Sequence, residues 1–400
     1  MEQATRTDAA TDIQTFQFTG TGGEYFRIWI VNLILSILTL GIYSAWAKVR
    51  TNRYFYGNTQ IDNSGFEYHA KPLAILKGRL FAVALLSIYI LVGQMFPAAG
   101  SAFMALLLLA SPWVIWKSMQ FNARMTSFRN VRFGFYGSLQ DAYRYLLMMP
   151  LIPLLTALLA GIVFYFVTGI IEPGVYVALA VVALVTTYLL VPFIQKTITV
   201  YYIGNHRYGQ GMLETNLSTK RYYLIYLALL GWSILIFGAI TIAAGVAMYF
   251  SGMNLMAMLP ATEGGELPTM ALAPFIAVSL FMYLAMLIAG VWVKAYMKAK
   301  IRNHVFNNIR LDTIARLESD ITTARLFRFY LVNILLMICT LGLAWPWIKV
   351  RSARLMAMTT QAQLTGSLDQ FVSLQQRQQS AIGDEIGEAF DVDANLDLAF

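Results

Sequence analysis

FRIWIVNLILSILTLGIYSAWAKVRTNR at residues 26–53 and FRFYLVNILLMICTLGLAWPWIKVRSAR at residues 327–354 align at an offset of 301 without a gap, and half of their positions are identical. A match of this quality is an internal duplication. It pairs Arg27 with Arg328, Asn32 with Asn333, Thr39, Leu40 and Gly41 with Thr340, Leu341 and Gly342, and Trp46 with Trp347. It also pairs Lys48, Val49 and Arg50 with Lys349, Val350 and Arg351. Each copy is an apolar run that meets Thr-Leu-Gly and closes on a basic cluster. Glycine turns sharply without steric cost, and threonine can satisfy a freed carbonyl, so the hinge is expected at Thr39–Gly41 and Thr340–Gly342. Gly41→Leu is accordingly expected to do more damage than Leu40→Ile. The second copy has Pro346 where the first has Ala45, so the two need not bend alike.

Working outward, 58% of the 400 residues are hydrophobic and 12% charged, which points to the bilayer as solvent. Stretches free of Asp, Glu, Lys and Arg run over 28–47, 80–116, 145–171, 173–195, 222–262, 267–293 and 329–348. About 20 apolar residues cross the hydrocarbon core, so each is long enough for one crossing, and 80–116, broken by Pro97, Gly100 and Pro112, reads as two. No apolar run precedes Ile28, so a cleaved signal peptide is not expected. The single cysteine, Cys339, leaves no intramolecular disulfide.

The basic residues fall at 6–27, 48–79, 117–144, 196–221, 294–328 and 349–377, while the remaining short connections carry only Glu172, Glu263 and Glu266 as charges. Short basic loops stay cytoplasmic, so orientation accounts for the net charge of +8, and nucleic-acid binding is not expected. That orientation creates a parity conflict. If both matched segments crossed fully, the first would end in cytoplasmic Lys48 and Arg50, whereas the second would carry Lys349, Arg351 and Arg354 outside. Segments that enter and leave on one side remove the conflict; a helical excursion out and back in twenty residues reaches about 15 Å, half the core. The expected fold is an all-α polytopic membrane bundle of six full transmembrane helices plus two re-entrant or half-inserted segments, with short cytoplasmic β-hairpins; eight spans is the alternative. A cytoplasmic segment 1–25, a membrane domain 26–368 and an acidic tail 369–400 are the expected divisions.

The hairpins are suggested by a weaker recurring pattern after each inward-running helix. It reads RYFYGNTQIDNSGFEY (53–68), SFRNVRFGFYGSL (127–139), YYIGNHRYGQGML (201–213) and VFNNIRLDTIARL (305–317), with a faint fifth copy in MTTQAQLTGSL (358–368). Polar–apolar alternation beside a turn signal predicts strands after Asn58, Asn130, Asn205 and Asn308. An isolated hairpin is barely stable, so the copies are expected to pair into one sheet.

GTGGEYFRIWIVNLILSILTLGIYSAWAKVRTNRYFYGNTQI (20–61), followed by KPLAILKGRL (71–80), resembles the signature of the YjgN family of bacterial inner-membrane proteins, a domain of unknown function. The resemblance extends over essentially the whole chain, including SAIGDEIGEAFDVD (380–393). It implies a multi-pass protein of the bacterial inner membrane, and it supplies no activity or catalytic residue.

Catalytic constellations are not visible in the sequence. His69, His206 and His304 lie in separate loops without ligand spacing, and GTGG at 20–23 lacks the strand and Lys-Ser/Thr of a phosphate loop. No cofactor, metal or enzymatic activity is expected. Polar groups at membrane depth carry more interest because burying them is costly. Asn32 and Asn333 either hold a neighbouring helix or line a polar pathway. Arg27, Arg328, Lys48, Arg50, Lys349 and Arg351 are expected to contact membrane lipids through anionic headgroups. The functional expectation is binding or transport of a small or lipidic molecule; the alternative is a scaffold or regulatory subunit that recruits a cytoplasmic partner.

Overall fold

The computed structural model describes residues 11–169, 173–250, 269–312, 314–365, 369 and 372–377. Glu172, Glu263, Glu266 and the acidic tail beyond 377 lie outside the described residues. Two compact units make up the chain: Met1–Thr219 with Val305–Asp320 and Leu343–Phe400, and Lys220–His304 with Ile321–Gly342.

The first unit contains one eleven-stranded sheet. Its strands are β1 (Thr11–Thr15), β2 (Gln17–Phe18), β3 (Thr59–Ile61), β4 (Ser64–Tyr68), β5 (Thr126–Phe128), β6 (Val131–Phe135), β7 (His206–Tyr208), β8 (Gly211–Thr215), β9 (Ile309–Leu311), β10 (Ala315–Ser319) and β11 (Thr360–Thr365). Their order is β1-β11-β10-β9-β8-β7-β6-β5-β4-β3-β2, antiparallel throughout. The two ends of that order, β1 and β2, are separated only by Phe16, whose N–H donates to the Thr360 carbonyl (3.1 Å). One N-terminal segment thus covers both edges and makes a near-closed barrel, which removes the exposed strand edges that invite aggregation.

The turns explain the hairpins. Asp62–Asn63 (φ +48 and +54) joins β3 to β4, and Arg129–Asn130 (φ +46 and +64) joins β5 to β6. Two left-handed residues match the right-handed twist of the flanking strands. Arg129 is held in that conformation by Asp62 and Asp369, each at 2.6 Å. One face of the sheet buries Ile61, Phe128, Val131, Tyr208, Ala362 and Leu364 together with Val372 of the helical turn 372–377. The hairpins join into a single sheet, as expected, because each supplies the hydrogen-bonding partner the next one lacks; the all-α class is corrected to a mostly helical molecule that also carries an eleven-stranded, near-closed sheet.

The helices of this unit are α1 (Gly22–Leu38), α2 (Ser44–Asn58), α3 (Pro72–Met95), α4 (Pro97–Arg124), α5 (Leu139–Tyr143), α6 (Met149–Thr168), α7 (Pro173–Gly204) and, after the second unit, α11 (Trp345–Met358). A π turn, Arg144–Met148, links α5 to α6, just before Pro150 and Pro153, which cannot donate to the preceding turn. At the α3–α4 turn a Cβ on Gly100 would lie 2.6 Å from the Gly93 Cα, so this close approach requires glycine.

In the second unit α8 (Thr219–Phe250), α9 (Thr269–Phe306) and α10 (Thr323–Cys339) carry most of the residues. Trp292 packs on Trp232 and stacks on Tyr296, with ring centroids 5.5 and 5.3 Å apart, and Asn303 donates to the Ile321 carbonyl. Among the described residues six helical stretches are long and apolar enough to cross a membrane: Pro72–Met95, Pro97–Arg124, Leu139–Phe166, Val177–Gly204, Thr219–Phe250 and Ile276–Phe306. The protein is a polytopic membrane protein.

Candidate functional site: a cationic cleft beside a helix break

The cleft begins with α1. Thr21 caps this helix by accepting from the Glu24 N–H while the Glu24 carboxylate accepts from the Thr21 N–H, so GTGG marks a helix start. Seventeen residues later the helix stops. The Gly41 N–H donates to the Ser36 carbonyl (2.7 Å) and the Leu40 N–H to the Ile37 carbonyl (3.1 Å), the bond pair of a Schellman motif. The Thr39 hydroxyl donates to the Leu35 carbonyl and accepts from the Tyr43 N–H. Leu40 (φ +49) and Gly41 (φ +91) are both left-handed.

Helix α10 ends in the same way. Gly342 donates to Met337, Leu341 to Ile338, and the Thr340 hydroxyl to Leu336, with φ +48 at Leu341 and +91 at Gly342. The expectation that glycine alone bears the turn is thereby corrected. Leucine occupies the first left-handed position, so Leu40→Ile places a β-branched side chain where L residues rarely sit and is not a neutral control.

Helices α1, α2 and α11 pack together through Tyr25, Trp29, Tyr54, Phe55, Val350 and Ala357. Phe26 lies 4.8 Å from Trp347, and Arg354 donates to the Gly20 carbonyl (3.0 Å). Between these helices and the start of α3 opens a cleft of about 370 Å3. Lys48, Arg79 and Lys349 line it, Tyr25, Trp29 and Trp345 form its aromatic walls, and among the described residues no carboxylate lines it. Arg79 donates to the Ser44 hydroxyl, which in turn donates to the Gly41 carbonyl, tying α3 to the break. Lys349 sits 5.7 Å from the Trp345 ring and 5.8 Å from Phe55, and burial pushes its ammonium below the ordinary lysine value. Asn32 lines the same cleft at 5% exposure, and its Oδ1 has no hydrogen-bond partner.

Of the residues singled out by sequence, the cleft gathers Asn32, Lys48 and Lys349. Arg27, Arg50, Arg328 and Arg351 are exposed and do not line it. Asn333 belongs to the second unit, 6% exposed and likewise with an unpartnered Oδ1. Sequence reasoning missed Arg79, whose only signal was its place immediately before a long charge-free run.

Two other places were candidates for chemistry. His69 Nε2 lies 2.7 Å from the Ser127 Oγ, which donates to Glu67 (3.2 Å). Glu67 approaches that same ring nitrogen at 3.3 Å rather than the opposite one, and Ser127 is 1% exposed, so the trio lacks the relay geometry of an activated nucleophile and ties β4 to β5. A larger cavity, about 490 Å3, is walled by Tyr56, Phe66, Phe133 and Tyr202 beside His206. Burial holds that imidazole below its ordinary value, and none of the lining polar groups is buried without a partner. Among the described residues no group of three His, Cys, Asp or Glu side chains is placed to hold a metal ion.

The family model for a bacterial protein of unknown function, DUF898, matches residues 13–389. The chain belongs to this family. The inner membrane protein YjgN of Salmonella typhimurium is 31% identical over 370 residues, covering 89% of both chains. The protein of the same name from Escherichia coli K12 is 28% identical over 385 residues, covering 91% of this chain and 92% of its own. No solved structure matches. With six apolar helices and these relatives, this DUF898 chain is a multi-pass protein of the inner membrane.

Proposed function

We propose that this protein binds a lipidic molecule at the cationic cleft, and that its two broken segments, 26–53 and 327–354, dip into the cytoplasmic leaflet and return. The observation that carries the reading is the pairing of an apolar break with a charged cleft. Leu40 is 95% exposed and Leu341 93% exposed, each at a break flanked by further exposed apolar side chains such as Leu38 and Ile42 or Ile338 and Leu343. Such surface in water would cost free energy roughly in proportion to its area, whereas acyl chains cover it without penalty. Lys48, Arg79 and Lys349 line one cleft near the starts of α2, α3 and α11, and in this reading they meet the anionic headgroup of the lipid. In this reading the chain binds, and by holding a lipid in a cleft open to the leaflet it can move one; it performs no bond chemistry.

Native mass spectrometry of the detergent-extracted protein tests the reading. Lipid adducts that survive exchange into a second detergent are expected. A spectrum free of lipid in every detergent, from protein that remains folded, would overturn it.

A further inference from the structure

The charge and hydrogen-bonding pattern of the cleft carries the proposed function one step further, to the headgroup. We propose that the cleft selects a phosphate ester that also carries a hydrogen-bond donor: a phosphate bearing a hydroxylated substituent, as in the headgroup of phosphatidylglycerol. The inference rests on the lipid-binding reading above. Among the described residues three cations and no carboxylate line a cleft of about 370 Å3, so the complementary ligand group is anionic, and a zwitterionic headgroup would set its own ammonium among Lys48, Arg79 and Lys349.

Asn32 adds the second requirement. Its Oδ1 is buried, accepts nothing, and belongs to a side chain that lines the cleft. Buried acceptors in native proteins are satisfied almost without exception, and each unsatisfied one is costly. A phosphate offers only acceptors, which suit the lysines and the arginine, whereas a hydroxyl on the adjoining substituent supplies the donor the amide oxygen needs once the Asn32 side chain turns its oxygen toward the cleft. The same chemistry occurs in a free glycerol phosphate, and the test separates the two sources.

The full-length protein, delipidated and reconstituted in nanodiscs of mixed phosphatidylglycerol, phosphatidylmethanol and phosphatidylethanolamine, is released for native mass spectrometry and its bound lipids are counted. Phosphatidylmethanol has the same charge and no headgroup hydroxyl. Enrichment of phosphatidylglycerol over phosphatidylethanolamine by about tenfold is expected from the cationic lining, and over phosphatidylmethanol by about fivefold from one hydrogen bond. The double variant Lys48→Gln, Lys349→Gln should lose the first preference. Asn32→Leu should lose the second and keep the first, a split that general misfolding cannot produce. Displacement of bound lipid by glycerol 1-phosphate would show the headgroup chemistry to be sufficient, and binding of that compound without lipid retention would uphold the chemistry while overturning the lipid reading. Lipids retained in the proportions of the nanodisc would overturn this inference and leave the lipid reading standing. Neither lipid nor glycerol phosphate retained would overturn both.

Discussion

The two matched segments end their first helix identically and begin their second differently. In both, a Schellman motif places leucine at φ near +48 and glycine at +91, and a threonine hydroxyl captures the carbonyl four residues back. After the first break comes Ser44, bonded to the Gly41 carbonyl and held by Arg79 of α3. After the second comes Trp345–Pro346, where proline fits because an N–H in the first turn would have no intrahelical acceptor. Yet Ser44 and Trp345 occupy equivalent positions, as do Lys48 and Lys349, and all four line one cleft. The break is a backbone requirement, so it repeats to the residue. The cleft is a side-chain requirement, and the two copies supply it with the same lysine at one equivalent position and with different groups, Ser44 and Trp345, at the other.

The largest effect expected tests the repeated part. Gly41→Leu and Gly342→Leu each force a side chain into φ +91 with nothing within 4 Å to clash, so backbone strain is the only cost. Each should lose about 1–3 kcal/mol in denaturant unfolding of the detergent-solubilised protein. A loss confined to one copy would break the equivalence of the two turns.

A smaller effect sharpens the divergent part. Asn32→Leu and Asn333→Leu both remove a buried oxygen without a partner, so both should raise stability, by about 1 kcal/mol. Only Asn32→Leu should also lose the preference for phosphatidylglycerol over phosphatidylmethanol, because Asn333 does not line the cleft. A stability loss in both would mean that the amides are structural ties.

The smallest effect is a pH slope. Burial holds Lys349 below its ordinary value of 10.5, so in the window between the depressed value and 10.5 the unfolded chain binds more protons than the folded one. Stability contributed by this group therefore rises as the pH climbs through that window, and its penalty is fully present below it. Lys349→Met should flatten the rise seen in thermal unfolding; an unchanged slope would place the titrating group elsewhere.

Much of this was legible in the sequence because its causes are local. Apolar runs gave the six long helices, and Asp62–Asn63, Arg129–Asn130 and Gly209 marked hairpins through turn chemistry. The closing strand escaped notice because TDIQTFQF has its partners at Thr360–Thr365 and Thr59–Gln60, one of them at the far end of the chain. Arg79 looked like one more residue of a basic loop until α3 brought it against Ser44. Nothing local to Lys48 or Lys349 says that they share a cleft; that follows from α1 packing between α2 and α11.

The central claim is that each matched segment enters and leaves the membrane on the cytoplasmic side. Single cysteines at Arg27, Arg50, Arg328 and Arg351, all exposed, in a Cys339→Ser background bracket the two breaks. With a membrane-impermeant thiol reagent added outside spheroplasts, all four positions should stay unlabelled, and all four should react once the membrane is permeabilised. Labelling of one member of either pair from outside, with its mate protected, would show that the segment crosses the membrane and would contradict the account.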